Sequence, residues 1–194
     1  MPKELFYALP EEKRKRILDA AVREFSQNEY HSASINQIIK LADISRGSFY
    51  LYFEDKRDIY IFLVEQVFRS RLQKFTAQAT AQQFTSLRAF HDALFVFNLN
   101  LLHDENYNAL FRNLYLSMEY SFSREMRMIT AQIRQDMLAA LPALTATPAQ
   151  AERSNAQLEL LQLLTHALLV SKVLENRTDE DVLAEYRGKA SIIC

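Results

Sequence analysis

A chain of 194 residues can bury a sizeable core without a disulfide or metal staple, and 49% hydrophobic beside 24% charged residues excludes wholesale disorder and an all-apolar membrane protein. A net charge of -1, with ten Lys/Arg against ten Asp/Glu in residues 1–60, excludes a generally basic coat for nucleic acid, so any such binding must come from local placement of charge. Two glycines, Gly47 and Gly188, and four prolines leave little material for hairpins or Gly-rich phosphate loops, which points to an all-α fold.

The first predicted helix spans residues 11–28, with Pro10 before it and Ile17, Leu18, Ala21 and Phe25 on one face. Lys13-Arg14-Lys15-Arg16 reads there as a solvated face with i,i+4 partners or as a local basic patch. Ser34-x-x-Gln37 has the form of a capping box ahead of a short helix over 35–42, whose Ile35, Ile38, Ile39 and Ala42 share a stripe. Ser45 is a good N-cap for a second short helix over 46–53, with Phe49 and Phe53 on one face. Asp55 caps a long helix from Lys56 to about Gln78.

Two short helices joined by a turn, buttressed by a first helix and followed by a long one, form a helix-turn-helix in context. Its second short helix would enter a DNA major groove, with Ser45, Arg46 and Ser48 toward bases and phosphates. The runs Ala33-Ser34-Ile35-Asn36-Gln37-Ile38-Ile39 and Ala42-Asp43-Ile44-Ser45-Arg46-Gly47-Ser48-Phe49-Tyr50-Leu51-Tyr52-Phe53, then Lys56, resemble the DNA-binding region of TetR-family repressors over about residues 11–60. Asp43 stands where that family usually has Gly, a position a left-handed backbone would suit.

The resemblance implies an N-terminal three-helix DNA-binding domain, 1–55, and a helical ligand-binding and dimerisation domain, 56–194, with the helix from Lys56 as connector. It assigns Ser45, Arg46, Gly47 and Ser48 to the start of the recognition helix, with Gly47 allowing close approach of backbone to DNA or to a neighbouring helix. Arg46 would pair with guanine or clamp a phosphate, and Tyr50, Tyr52 and Lys56 would meet phosphates. Leu51 would contact a thymine methyl or simply pack, and Ser34 and Asn36 are weaker candidates for backbone contacts.

Beyond residue 84 helical stretches are expected at about 84–103, 106–120, 122–141 and 152–175, with a short last one over 179–186. Met126, Ile129, Ile133 and Met137 on one of these, and Leu158, Leu161, Thr165, Leu168 and Leu169 on another, form stripes that would pair across a homodimer or pack within one chain. The aromatic-rich middle suggests a pocket for a small effector from Phe90, Phe95, Phe111, Tyr115, Met118 and Phe122, oriented by Asn98, Arg112, Glu119 or His91.

The four histidines lack metal-ligand spacing, no catalytic constellation can be proposed, and no cofactor is implied. The lone Cys194 has no internal partner, which fits a reducing cytoplasm, and no signal or run of ~18 apolar residues suggests export or a membrane span. The expected partners are double-stranded operator DNA, a second copy of the chain and a small molecule. A helical protein-binding adaptor without DNA contact is the alternative.

Overall fold

The computed structural model describes residues 2–79, 84, 86–103, 109–110, 112–113, 123–139 and 147–194. In chain order the helices are α1 (Glu4–Tyr7), α2 (Glu11–Gln27), α3 (Ile35–Ala42), α4 (Arg46–Tyr52), α5 (Lys56–Ala79), α6 (Leu87–Leu101), α7 (Ser123–Ala139), α8 (Pro148–Glu175) and α9 (Asp179–Ile193). Among the described residues there is no strand.

The N-terminal helices follow from their caps and stripes. Pro10 occupies the N-cap of α2, which buries Ile17, Ala20, Ala21, Glu24 and Phe25, the i, i+3, i+4 spacing of one helical face. Helix α3 ends at Asp43, whose φ of 51° is left-handed, and the following Ile44 N–H donates to Ile39 C=O at 3.2 Å. That reversal points α4 away from α3. The Ser45 side chain accepts from Ser48 N–H at 3.0 Å, and the Asp55 carboxylate accepts from Asp58 N–H at 2.8 Å, so both caps read from sequence are formed.

The Ser34 cap is not. Its side chain makes no capping bond; instead its backbone N–H donates to Glu24 Oε1 at 2.8 Å. A buried carboxylate on α2 thus meets the chain entering α3 and also accepts from Asn28 Nδ2 at 3.2 Å. Helix α1 was not expected. It plugs the underside of the domain with Phe6, which is fully buried with its ring 4.9 Å from Phe53 and 5.6 Å from Phe62.

One core gathers Phe6, Ile17, Phe25, Ile38, Phe49 and Phe53 with Ile59 to Val64 of α5. The first two turns of α5 therefore pack with the N-terminal helices, so no division of cores falls at residue 55. A second core joins Phe75 of α5 to Phe90, Leu94, Met137 and Leu158, and a third packs Phe95, Leu161, Leu168 and Leu169 against Val182 and Tyr186.

These cores correct the stripes read as a dimer seam. Ile133, Met137, Leu158, Leu161, Thr165, Leu168 and Leu169 are all buried within one chain, and the half-buried Ile129 packs against two of its cores. A side chain already enclosed by its own protomer has no area left for a partner. The backbone of Met126 lies in α7, but its side chain is outside the described residues. Helix α8 also starts earlier than expected, at a capping box between Thr147 and Gln150, and α9 runs to Ile193 rather than stopping at Tyr186.

Candidate nucleic-acid interface

Helices α3 and α4 present a shared polar face. Arg46 Nη1 donates to Asn36 Oδ1 at 2.7 Å, and Arg46 Nη2 lies 3.4 Å from the Tyr50 hydroxyl. Its guanidinium carbon stands 5.6 Å from the centre of the Tyr50 ring. The start of α3 and the first turns of α4 are thereby held together by an exposed cation, and the remaining guanidinium donors face solvent. Ser45 and Ser48 bond each other's hydroxyls at 2.8 Å beside it.

Gly47 lies in the same turn. A Cβ built there would meet only Ser45 Oγ, at 3.8 Å, and its φ is not positive. Neither backbone strain nor a neighbouring helix explains the glycine, which removes one of its two sequence readings. Leu51, 54% exposed, extends this face without covering.

Three sequence candidates are engaged inside the domain. Tyr52 is 7% exposed, its ring packed beside Phe6 and under Lys13 Nζ, 5.8 Å from the ring centre. Burial of the ring makes it a support for α4 more than a surface group. Lys56 Nζ donates to the carbonyls of His31 at 3.1 Å and Ala33 at 2.9 Å and sits 4.8 Å from the Tyr30 ring centre. Two of its three donors are thus spent on the loop before α3, and burial lowers its pKa from the usual lysine value. Ser34, half-buried, gives its N–H to Glu24.

Sequence reasoning passed over two supports of this face. Arg16 Nε donates to Ala42 C=O at 2.9 Å, which caps the last turn of α3. Lys3 Nζ donates to Tyr50 C=O at 2.9 Å, and its N–H to Tyr52 C=O at 2.8 Å, at the end of α4. The basic run supplied the first in plain view; its target carbonyl, 26 residues on, had no local signal.

Residues 17–61 match the family model described as "Bacterial regulatory proteins, tetR family". The likeness to that family is carried by this N-terminal segment. It is 45% identical over 65 residues to the uncharacterized HTH-type transcriptional regulator YdgC of Bacillus subtilis, a match covering 34% of this chain and 33% of that protein. The match thus spans about a third of that relative's length. Among solved structures, FadR of Bacillus subtilis in complex with stearoyl-CoA aligns with a TM-score of 0.65 and 17% identity over 92% of this chain and 96% of that one. The multidrug binding protein EbrR complexed with ethidium aligns with a TM-score of 0.67 and 18% identity over 96% and 100% of the two chains. At those identities the likeness carries the fold, an all-α TetR-like architecture.

In the body of the chain, α5, α6, α7 and α8 line a cavity of about 640 Å³ that opens to the surface. Asn98 lines it, as does His91; Ile133, Met137 and Thr165, read as dimer residues, line it too. Phe90 and Phe95 do not. Phe90 packs edge-on against Phe75 with ring centres 5.4 Å apart, and Phe95 stacks on Tyr186 at 3.9 Å, so both are core. Arg112 is exposed and is not among the cavity's lining. Phe111, Tyr115, Met118, Glu119 and Phe122 lie outside the described residues. Among the described residues no cluster of three or more His, Cys, Asp or Glu could hold a metal, and no helix is long and apolar enough to cross a membrane.

Proposed function

We propose that this protein is a sequence-specific DNA-binding transcriptional regulator, a homodimeric repressor that sits on a palindromic operator and is released by a small, largely apolar effector. The observation that carries this reading is the joined, outward Asn36–Arg46–Tyr50 face beside Gly47, where the backbone is open to whatever approaches. Arg46 reads a base or grips a phosphate, Ser45, Ser48 and Tyr50 meet the phosphate chain, and Leu51 touches a thymine methyl. Asn36 aims Arg46, and Ser34, Tyr52 and Lys56 hold the helices at the right depth.

A single module makes too few contacts to select a site in a genome, so a second copy is required. The surface for it is the outer face of α8, where Leu160, Leu163 and Leu174 are 52%, 62% and 67% exposed, Leu163 standing where this face meets the rim of the cavity. With the exposed Ala156 and Ala167 and the half-buried Val170, they alternate in steps of four and three residues, the spacing of a helix–helix seam. The cavity is the effector pocket. That FadR and EbrR hold stearoyl-CoA and ethidium supports a ligand in the body of this fold.

The protein acts in the cytoplasm and has no catalytic role in this reading. Selection from random DNA duplexes tests it: a recovered palindrome with two half-sites is expected. Absence of any enriched sequence from folded protein overturns it.

A further inference from the structure

We infer that the cavity between α5, α6, α7 and α8 takes an amphipathic organic anion whose apolar end carries a hydroxyl group. This rests on the reading of that cavity as the effector pocket. Its volume of about 640 Å³ falls within the usual range of small-molecule sites, and much of the wall is apolar, from Phe68, Leu72, Leu94, Ile133 and Met137. An apolar body therefore fits the middle.

The deep wall is not wholly apolar. Asn98 is 3% exposed and Thr165 7%, both line the cavity, and Asn98 Oδ1 and Thr165 Oγ1 have no hydrogen-bond partner. Buried polar atoms are rarely left so, because each forfeits its hydration. A hydroxyl both donates and accepts, so it serves Asn98 whichever way the amide is turned, and Thr165 as well. A charged group at that end is disfavoured, since no cation lies among these deep polar groups and burying an unpaired charge costs far more than burying a hydroxyl.

The other end of the ligand is fixed by charge. Arg71, Arg127 and Arg134 line the cavity against the single carboxylate of Glu159, and burial lowers the pKa of both lining histidines, His91 and His166, so they stay neutral. The lining is positive overall. Arg134 is engaged with Glu159, Asn155 and Gln162, the half-buried Arg71 lies over the Phe68 ring at 4.7 Å, and Arg127 is exposed. An anionic head at the outer side meets Arg127 in the positive field to which Arg71 adds, and an organic cation is repelled.

The test uses the full chain, titrated with ω-hydroxylaurate, laurate and dodecanediol against bound anilinonaphthalene sulfonate, with calorimetry as the direct measure. The hydroxy acid is expected to bind about tenfold tighter than either of the others. Asn98→Leu, which keeps the branching at Cγ, should erase the preference over laurate, and Arg71→Gln with Arg127→Gln the preference over the diol. Thr165→Val repeats the first arm should Asn98→Leu not fold. Saturable binding in which laurate equals or exceeds the hydroxy acid overturns the ligand class and leaves the pocket standing. Binding that is absent for every probe, or indifferent to Leu94→Trp, which fills the cavity, overturns the pocket together with the class.

Discussion

His91 Nδ1 lies 3.0 Å from the Tyr186 hydroxyl, 95 residues along the chain, and that hydroxyl donates to Asp92 Oδ1 at 2.8 Å. With its one proton committed to Asp92, the phenol oxygen accepts from the imidazole, which fixes the neutral Nδ1–H tautomer of His91. A cavity residue on α6 is thus bonded to α9. Tyr186→Phe removes both bonds and leaves a buried imidazole N–H unpaired. It should lower stability by about 1–3 kcal/mol in urea unfolding; an unchanged midpoint would mean the network contributes nothing.

Burial pushes His91 from 6.5 down to about 4, with Asp92 opposing and Arg88 adding to the shift. Between those values the unfolded chain binds a proton that the folded chain refuses, so stability is full above the unfolded value and is lost as pH falls toward the folded one. The loss reaches about 3 kcal/mol once both values are passed. His91→Gln should lose less stability than the parent between neutral pH and the acid end of this window, measured as urea midpoints at each pH. His166, lowered by the same cause, keeps part of the slope in both proteins.

Arg46→Ala should weaken binding to the selected duplex by about 1–3 kcal/mol while leaving the thermal midpoint in place, because the side chain is exposed. Fluorescence anisotropy at several salt concentrations separates two roles. A salt slope reduced by about one marks a phosphate contact, and an unchanged slope marks a base contact. Asn36→Ala should act more weakly, through the aim of Arg46. Undiminished affinity in Arg46→Ala sinks the assignment.

Gly47→Ala separates folding from binding. Alanine is favoured over glycine in a helix by up to ~1 kcal/mol, and its methyl would meet only Ser45 Oγ at 3.8 Å. The variant should melt at the same temperature or higher yet bind the operator less tightly, since the methyl occupies the space the DNA backbone needs. Equal affinity would place Gly47 outside the contact.

Leu160→Glu puts a charge on the outer face of α8 at a side chain 52% exposed in one protomer and outside the cavity lining. Sedimentation equilibrium should report a monomer with unchanged helical circular dichroism, and operator affinity should fall with it. A variant that remains dimeric moves the interface elsewhere.

The first half of the fold was legible because its punctuation is local: Ser45, Asp55 and the left-handed Asp43 each act within four residues of themselves. Ser34 misled because its competitor, Glu24, comes from ten residues earlier and reaches it only once α2 and α3 pack. Lys56 shows as a charge at a helix start, but nothing in sequence reveals that two carbonyls converge on it. Helix α8 is apolar on both sides, and sequence periodicity picked the side that its own chain covers. Among the aromatics of α6, rings that read as pocket went to core, while the polar Asn98 was the member that reached the cavity.

Helix α5 runs unbroken from Lys56 to Ala79, with its start in the N-terminal core and Leu72 at the cavity wall. Lys56 and Leu72 stand about 24 Å apart along its axis. It is a lever arm. A tilt of roughly 8° about Leu72 carries Lys56 by roughly 3 Å, about the rise of one base pair. On the proposed function, a ligand that displaced the wall by a fraction of a bond length near the pivot would be multiplied, at the far end, into a misregister of one step on the duplex.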